Sequence, residues 1–425
     1  MKMLKAVLFG VLCTFVFNCV PVKAINDLTQ GIDIEARSAI LMEVESGKII
    51  FEKNIKEKFA PASVTKIMTM LLTMEAIDSG RVKLDDIVTV TENAQKMGGS
   101  TMLLEAGEMR TIEDLLKGVA IASGNDAAVA LAEYLGGTVE NFVKKMNDRA
   151  RELGMKDTTF QNPTGLPTEN HLTTAYDISI MSRELLKHEA ILKYSGTYME
   201  TISANRKTPI ELVNHNKLVR FFNGCDGLKT GFTNEAKYCI SATAQRNGVR
   251  MLAIIMGAPT YKIRNRDAIM LLNHGFSLFE RKEIIAQDSD VSKLQLGANK
   301  DKFVMLKAKT PLNIVVEKGK DFKITNKINV EKNKKFIRQG EVLGEAIILV
   351  DGKEVGKVQV YSDRDMKNGS LLTKISSMFK KDSDDEQPSE SNDNNNENIE
   401  NDNLKEYNIE NNQNDNSQEQ LQEVQ

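Results

Sequence analysis

Three short clusters combine residue types that can carry out acyl transfer: Ser63-Val64-Thr65-Lys66, Ser123-Gly124-Asn125 and Lys229-Thr230-Gly231. Residues three apart in a helix share a face, so Lys66 can reach the hydroxyl of Ser63. A serine hydroxyl is a weak nucleophile until a base takes its proton. Lys66 can be that base only when neutral, which requires burial or a nearby cation to lower its pKa. Lys229 is the candidate cation. A helix start at Ser63 adds free backbone N–H groups and a positive dipole end, both favouring a developing oxyanion. In the third cluster, Gly231 has no side chain and lets a peptide-like substrate lie against the backbone, while Lys229 and Thr230 offer donors to a carboxylate. The backbone N–H groups of Ser63 and Phe232 form the candidate oxyanion hole.

Each cluster taken alone is a weak signal, because a second S-x-x-K occurs at Ser377 to Lys380 and a second S-x-N at Ser203 to Asn205. Context separates the two sets. Ser63 follows Pro61-Ala62 at the start of an apolar helical pattern made by Val64, Ile67, Met68, Leu71, Leu72 and Met74. Ser123 falls between a helix containing Leu115, Leu116, Val119 and Ala120, where Thr111 and Asp114 suggest a capped start, and a buried helix over Asp126 to Leu135. Lys229 opens a strand-like segment behind Gly227. Ala39 to Phe51 reads as a hairpin, strands return at Tyr238 to Gln245 and Met251 to Met256, and a last helix is predicted over Arg264 to Phe279. Strands, a block of helices, then strands again define an α+β domain, 25–281, with helices packed on an antiparallel sheet.

The flanking segments differ in texture. Short strands over 303–306, 312–316, 347–350 and 355–361 with turns between them predict a small all-β domain, 282–362, with no chemistry of its own. Residues 1–24 read as a secretory signal, with Lys2 and Lys5 before an uncharged run from Ala6 to Val22 and cleavage after Ala24; an uncleaved anchor helix is the alternative. Leu371, Leu372, Ile375, Met378 and Phe379 share a helical face beside Lys374, Lys380 and Lys381, so 363–381 is a candidate amphipathic membrane anchor. Residues 382–425 carry 14 acidic residues, one lysine and 12 asparagines, and are expected to be disordered. The overall net charge of −3 therefore conceals a mildly basic body behind an acidic tail. That is not the basic patch of a nucleic-acid binder. Four cysteines are too few for a disulfide scaffold, and at most Cys225 and Cys239 could pair in an exported chain.

The three clusters and their surroundings resemble the low-molecular-mass penicillin-binding proteins that are serine-type D-Ala-D-Ala carboxypeptidases. The similarity extends over Gly98-Gly99-Ser100-Thr101-Met102, Ile121 to Ala127, Gly227 to Gly231 and Met256-Gly257, roughly from Ile40 to Tyr361. It implies a transpeptidase/β-lactamase-like catalytic domain, a β-rich second domain and a terminal anchor. By position, Ser63 would be the acylated nucleophile and Lys66 its base, Ser123 and Asn125 would relay a proton and hold the substrate amide, and Lys229, Thr230, Gly231 and Arg264 would bind the substrate around its terminal carboxylate. The implied partners are peptidoglycan stem peptides, with β-lactam antibiotics as inhibitors, and the implied location is the outer face of the cytoplasmic membrane. No cofactor or metal is implied. Phe232 stands where some members have histidine, and His215 where some have arginine.

Three other readings fit the sequence less well. A class A β-lactamase would use a glutamate such as Glu169 for deacylation, yet Gly124 replaces its aspartate and Thr174-Ala175-Tyr176-Asp177 follows the carboxypeptidase pattern. A zinc peptidase is disfavoured because His171, His188, His215 and His274 lack ligand spacing, and His171 and His188 read as ordinary surface or loop residues. A non-catalytic penicillin-binding scaffold has no need of a nucleophile, base and carboxylate clamp.

Overall fold

A computed structural model describes residues 32–202, 208–295, 302–331, 334 and 336–367. The expected signal segment, most of the candidate anchor, the acidic tail and the second S-x-x-K and S-x-N clusters lie outside the described residues.

The centre of the molecule is a five-stranded antiparallel sheet. Its strands, in spatial order, are Ile49–Lys53, Ser38–Glu43, Val249–Ala258, Lys237–Arg246 and Cys225–Thr233. Alternation along each strand sends side chains to opposite faces, and both faces are apolar. Ile40 and Met42 face a large helical layer containing Lys66–Asp78, Ile112–Ala120 and Asn125–Gly136. Ala39, Leu41, Ile240 and Ile255 face the helix Tyr261–Leu278 through Ala268, Leu271 and Leu272. The sheet is thus sandwiched, which explains the near-continuous apolar run Met251 to Ala258.

Helix starts follow their caps. Thr111 Oγ1 accepts from Asp114 N at 3.0 Å, as the sequence pattern suggested. Thr260 does the same for Ile263 N at 3.2 Å, so the last helix starts at Tyr261, three residues before the expected Arg264, and ends at Leu278. This places Arg264 in the first turn, beside the sheet end that carries the edge strand.

The β-rich part begins where that helix stops. The strand Phe279–Ile285 crosses the expected 281/282 junction and pairs with Leu312–Glu317. A second five-stranded antiparallel sheet follows, ordered Asp290–Gln295, Phe303–Ala308, Lys353–Ser362, Val342–Val350 and Ile324–Val330. Val304, Leu306, Ala346, Ile348, Val358 and Val360 fill its core. Among the described residues no helix is long and apolar enough to cross a membrane.

The possible Cys225–Cys239 bond is absent, and both thiols are free and buried. Cys225 pairs in register with Ala244 and Cys239 with Gly231, so six residues of strand, about 20 Å, lie between them. A disulfide needs Cα atoms within about 7 Å. Burial pushes both thiols up to about 11, which makes them inert side chains of the core.

Candidate active site

Ser63 lies in a 3-10 turn, Ala62–Thr65, that runs directly into the helix Lys66–Asp78. Lys66 is fully buried. Its Nζ is 3.2 Å from Ser63 Oγ, 2.6 Å from Asn125 Oδ1 and 2.8 Å from the carbonyl oxygen of Thr164. The chemistry follows from counting protons. An ammonium has three N–H donors for these three partners, whereas a neutral amine keeps two and gains a lone pair. Asn125 Oδ1 and Thr164 O can only accept. When Lys66 is neutral, its two N–H groups go to them and the lone pair is left for the Ser63 hydroxyl.

Neutrality is favoured by the surroundings. Burial, and next the Lys229 ammonium, lower the Lys66 pKa well below its usual value, and the Asp126 carboxylate only partly opposes them. Lys229 is itself pushed down to about 7 by burial and then by the Arg264 guanidinium. Arg264, almost fully buried, is lowered to about 10 by burial and is held by Asn265 Oδ1 at 3.0 and 2.8 Å. The Lys229 and Arg264 cations, buried beside Lys66, make a site whose field calls for an anion.

The edge strand Cys225–Thr233 supplies the opposite wall. Lys229 pairs with Ser241, whose hydroxyl bonds Ser182 in the helical layer, and Gly231 pairs with Cys239, which packs in the same layer. Both therefore face Ser63. Thr230 and Phe232 alternate to the other face, and Phe232 packs against Tyr238 with ring centroids 4.4 Å apart while remaining half exposed. The role of Gly231 differs from the one expected. A Cβ there would sit 3.1 Å from Ala62 Cβ, Pro61 O and Ser63 N, so the missing side chain admits the protein's own turn bearing Ser63.

Ser123 and Asn125 arrive from the start of the helix Asn125–Gly136. Ser123 is buried with φ 60°, and Ala62 before the nucleophile has φ 49°. Left-handed conformations cost non-glycine residues about 1 kcal/mol and cluster at functional sites. No hydrogen bond to the Ser123 hydroxyl is present among the described residues. Asn125 is more committed than expected: Oδ1 takes the Lys66 bond, and Nδ2 donates to Gly98 O at 2.6 Å, leaving one N–H for a substrate amide. Its neighbour Asp126 accepts from Met102 N, Leu104 N and Ala127 N, tying the 98–104 loop down beside it.

Two groups escaped the sequence reading. One is the Thr164 carbonyl, which no side-chain pattern could reveal, although Asn162-Pro163-Thr164-Gly165 is a strong turn signal. The other is His171, which lies in a loop but not at the surface: it is almost fully buried, with Nε2 3.0 Å from Thr65 Oγ1. His188 is the ordinary residue expected, bonded to Asp78 at the surface. Glu169 is exposed and makes no hydrogen bond to Ser63 or Lys66, so it is not placed as a β-lactamase deacylating glutamate would have to be.

A serine and a buried lysine at the head of a helix, facing a Lys-Thr-Gly edge strand across an α+β sandwich, define a serine-type acyl-transfer hydrolase of the penicillin-recognising class. Residues 24–260 match the family described as D-alanyl-D-alanine carboxypeptidase, and residues 279–368 match penicillin-binding protein 5, C-terminal domain. The chain belongs to the D-alanyl-D-alanine carboxypeptidase family. D-alanyl-D-alanine carboxypeptidase DacF of Bacillus subtilis is 42% identical over 374 residues, covering 88% of this chain and 96% of DacF. Penicillin-binding protein 5 from Haemophilus influenzae has a similar structure, with TM-score 0.60 and 30% identity over 78% of this chain and 98% of that one. Penicillin-Binding Protein D2 from Listeria monocytogenes, solved in an ampicillin-bound form, matches with TM-score 0.52 and 30% identity over 57% of this chain and 98% of that one.

Proposed function

We propose that this carboxypeptidase removes the terminal D-alanine of peptidoglycan stem peptides through an acyl-enzyme on Ser63. The observation that carries the assignment is the Lys66 amine, buried between Ser63 Oγ and two acceptor-only oxygens. Lys66 takes the Ser63 proton as Oγ bonds to the penultimate carbonyl carbon, and the oxyanion is met by the N–H groups of Ser63 and Phe232. The C–N bond then breaks, and the proton passes to the departing amine of D-alanine, with the unpaired Ser123 hydroxyl as the relay. Water attacks the ester in a second cycle and frees Ser63. In a β-lactam the leaving nitrogen stays tethered to the acyl group, so the adduct persists.

Lys229 and Arg264 bind the free terminal carboxylate in this reading, with Thr230 contributing from the opposite face of the same open-edged strand. A peptide ending in D-Ala-D-Ala should therefore be cleaved much faster than its C-terminal amide. Losing one charge-assisted contact costs about 1.5 to 3 kcal/mol, so Arg264→Ala should lower kcat/KM for the free acid roughly 10- to 100-fold and leave the amide nearly unaffected. Measuring D-alanine release from both peptides tests this. Equal cleavage of the free acid by wild type and Arg264→Ala would remove Arg264 from the clamp.

The enzyme works outside the cytoplasm, in keeping with its family. We further assign 1–24 as the export signal, 25–281 and 282–362 as catalytic and β-rich units, and 363–381 as a peripheral anchor. Five apolar residues on one face and three lysines suit an anionic membrane surface, each lysine adding about 1 kcal/mol. The −13 tail that follows opposes this, so vesicle binding should be weak, salt-sensitive and stronger for a chain ending at Lys381 than for the full chain. Co-sedimentation of chains ending at Tyr361, Lys381 and Gln425 checks it, and equal binding by the shortest would exclude this segment.

A further inference from the structure

We propose that His171 is a positioning residue for acylation: through Thr65 it locks the turn bearing Ser63 to the loop whose Thr164 carbonyl aims the Lys66 lone pair. The inference rests on the reading of Ser63 as nucleophile and Lys66 as base. Lys66 can point its lone pair at Ser63 only while Thr164 O keeps its place relative to the turn. The two come from segments about 100 residues apart, and no backbone hydrogen bond joins Thr164 to the turn.

The loop is internally rigid. Asn162 Oδ1 accepts from Thr164 N at 3.1 Å, Thr164 Oγ1 at 2.9 Å and Gly165 N at 2.7 Å. It is also pressed onto the nucleophile turn. Gly165 has φ 82°, and a Cβ there would fall 1.8 Å from Ala62 O and 2.8 Å from Thr65 Oγ1. One bond from the next turn of the nucleophile helix, Thr69 Oγ1 to Pro163 O at 2.7 Å, holds the loop from below.

His171 closes the arrangement from the far end of the loop. Gln161 N donates to its Nδ1 at 3.3 Å, so the ring proton belongs on Nε2, which donates to Thr65 Oγ1 at 3.0 Å. Phe160 packs its ring at 81° to the imidazole with centroids 5.8 Å apart and fixes the ring plane. Burial holds the imidazole neutral by lowering its pKa to about 4. The side chain thus bonds at once to the backbone where the loop begins and to the residue between Ser63 and Lys66. Thr65 and His171 are both buried, away from solvent and from any entering ligand, which is why the role is positional.

The test separates rate from folding by resolving penicillin acylation into non-covalent affinity, acylation rate constant and labelled fraction. Thr65→Val keeps the side-chain volume and loses only the hydroxyl. It should slow the acylation rate constant about tenfold or more, a misalignment effect, with affinity and labelled fraction unchanged. Thr65→Ser should restore the rate. His171→Phe should lose as much as Thr65→Val, His171→Gln should recover part of it, and the Thr65→Val/His171→Phe double variant should be no slower than either single one. Should His171→Phe fail to fold, the Thr65 pair carries the test alone. Wild-type acylation in Thr65→Val, or an equal defect in Thr65→Ser, would overturn the proposal. Mapping the label in wild type keeps the two readings apart: a label away from Ser63 sinks the nucleophile assignment, whereas a label on Ser63 with unchanged Thr65→Val rates sinks only the role of His171.

Discussion

Ser63→Ala is expected to abolish covalent labelling by penicillin and to lower D-alanine release by at least about 10⁴-fold, the scale of losing a nucleophile in serine peptidases. The variant should still fold. The Ser63 hydroxyl makes one hydrogen bond, to Lys66, whose amine keeps Asn125 Oδ1 and Thr164 O, so the stability cost should be within about 1.5 kcal/mol. Intact-protein mass after penicillin treatment is the measurement, with a thermal melt as control. An adduct that persists in Ser63→Ala would overturn the assignment, and one mapping to Ser377 would move it to the other S-x-x-K cluster.

Lys66→Met should lower the acylation rate by about 10² to 10⁴, the usual contribution of a positioned base. It leaves two buried acceptors unpaired at about 1 to 3 kcal/mol each, so the melting temperature should fall as well, and the rate must be read on the folded fraction. The wild-type pH profile carries the sign of two opposed titrations. Acylation needs Lys66 neutral, so kcat/KM rises with pH as that amine, its pKa already lowered by burial and by Lys229, gives up its proton. If Lys229 binds the carboxylate as proposed it must be charged, so the profile should fall again as Lys229, its pKa pushed down to about 7 in the free enzyme, loses its proton. Removing the Lys229 charge, as in Lys229→Gln, should also shift the rising limb to higher pH. A wild-type rate that climbs steadily to pH 10 would show that a cationic Lys229 is not needed.

Much of the scaffold is legible in the sequence because it is written in side-chain periodicity. The hairpin around Gly47, the helix after Ser63, the capped start at Thr111 and the strands on either side of Asn247 are local patterns, and each forms close to where its pattern lies. Ser63, Lys66 and Lys229 are legible for a different reason: S-x-x-K and S-x-N recur elsewhere in the chain, but only here do the three clusters stand in order at a helix start, between two helices and on a strand. What stayed hidden is whatever the backbone does. The Thr164 carbonyl has no residue type to announce it, and the left-handed φ of Ser123 and Ala62 falls on residues that usually avoid it. His171 reads as an ordinary surface or loop residue because a lone histidine in a polar, turn-rich stretch gives no sign of the Phe160 and Thr65 that pack against it. Gly231 was recognised as a position without room for a side chain, but the neighbour that needs the room turned out to be Ser63's own turn.

That interlock has a consequence for antibiotic resistance. A cell under β-lactam pressure is selected for changes that spoil drug acylation and spare cleavage of the natural peptide. At position 231 such a change meets the proposed catalytic turn itself. Any replacement brings a carbon within 3.1 Å of Ser63 N and Ala62 Cβ, so the edge strand and the turn bearing Ser63 must shift by a few tenths of an ångström to admit it. If both ligands acylate Ser63 as proposed, drug and cell-wall peptide use the same spacing, and a shift there should slow both reactions. Escape must be sought where the two ligands differ, in side chains that line the cleft without setting the distance between its two walls.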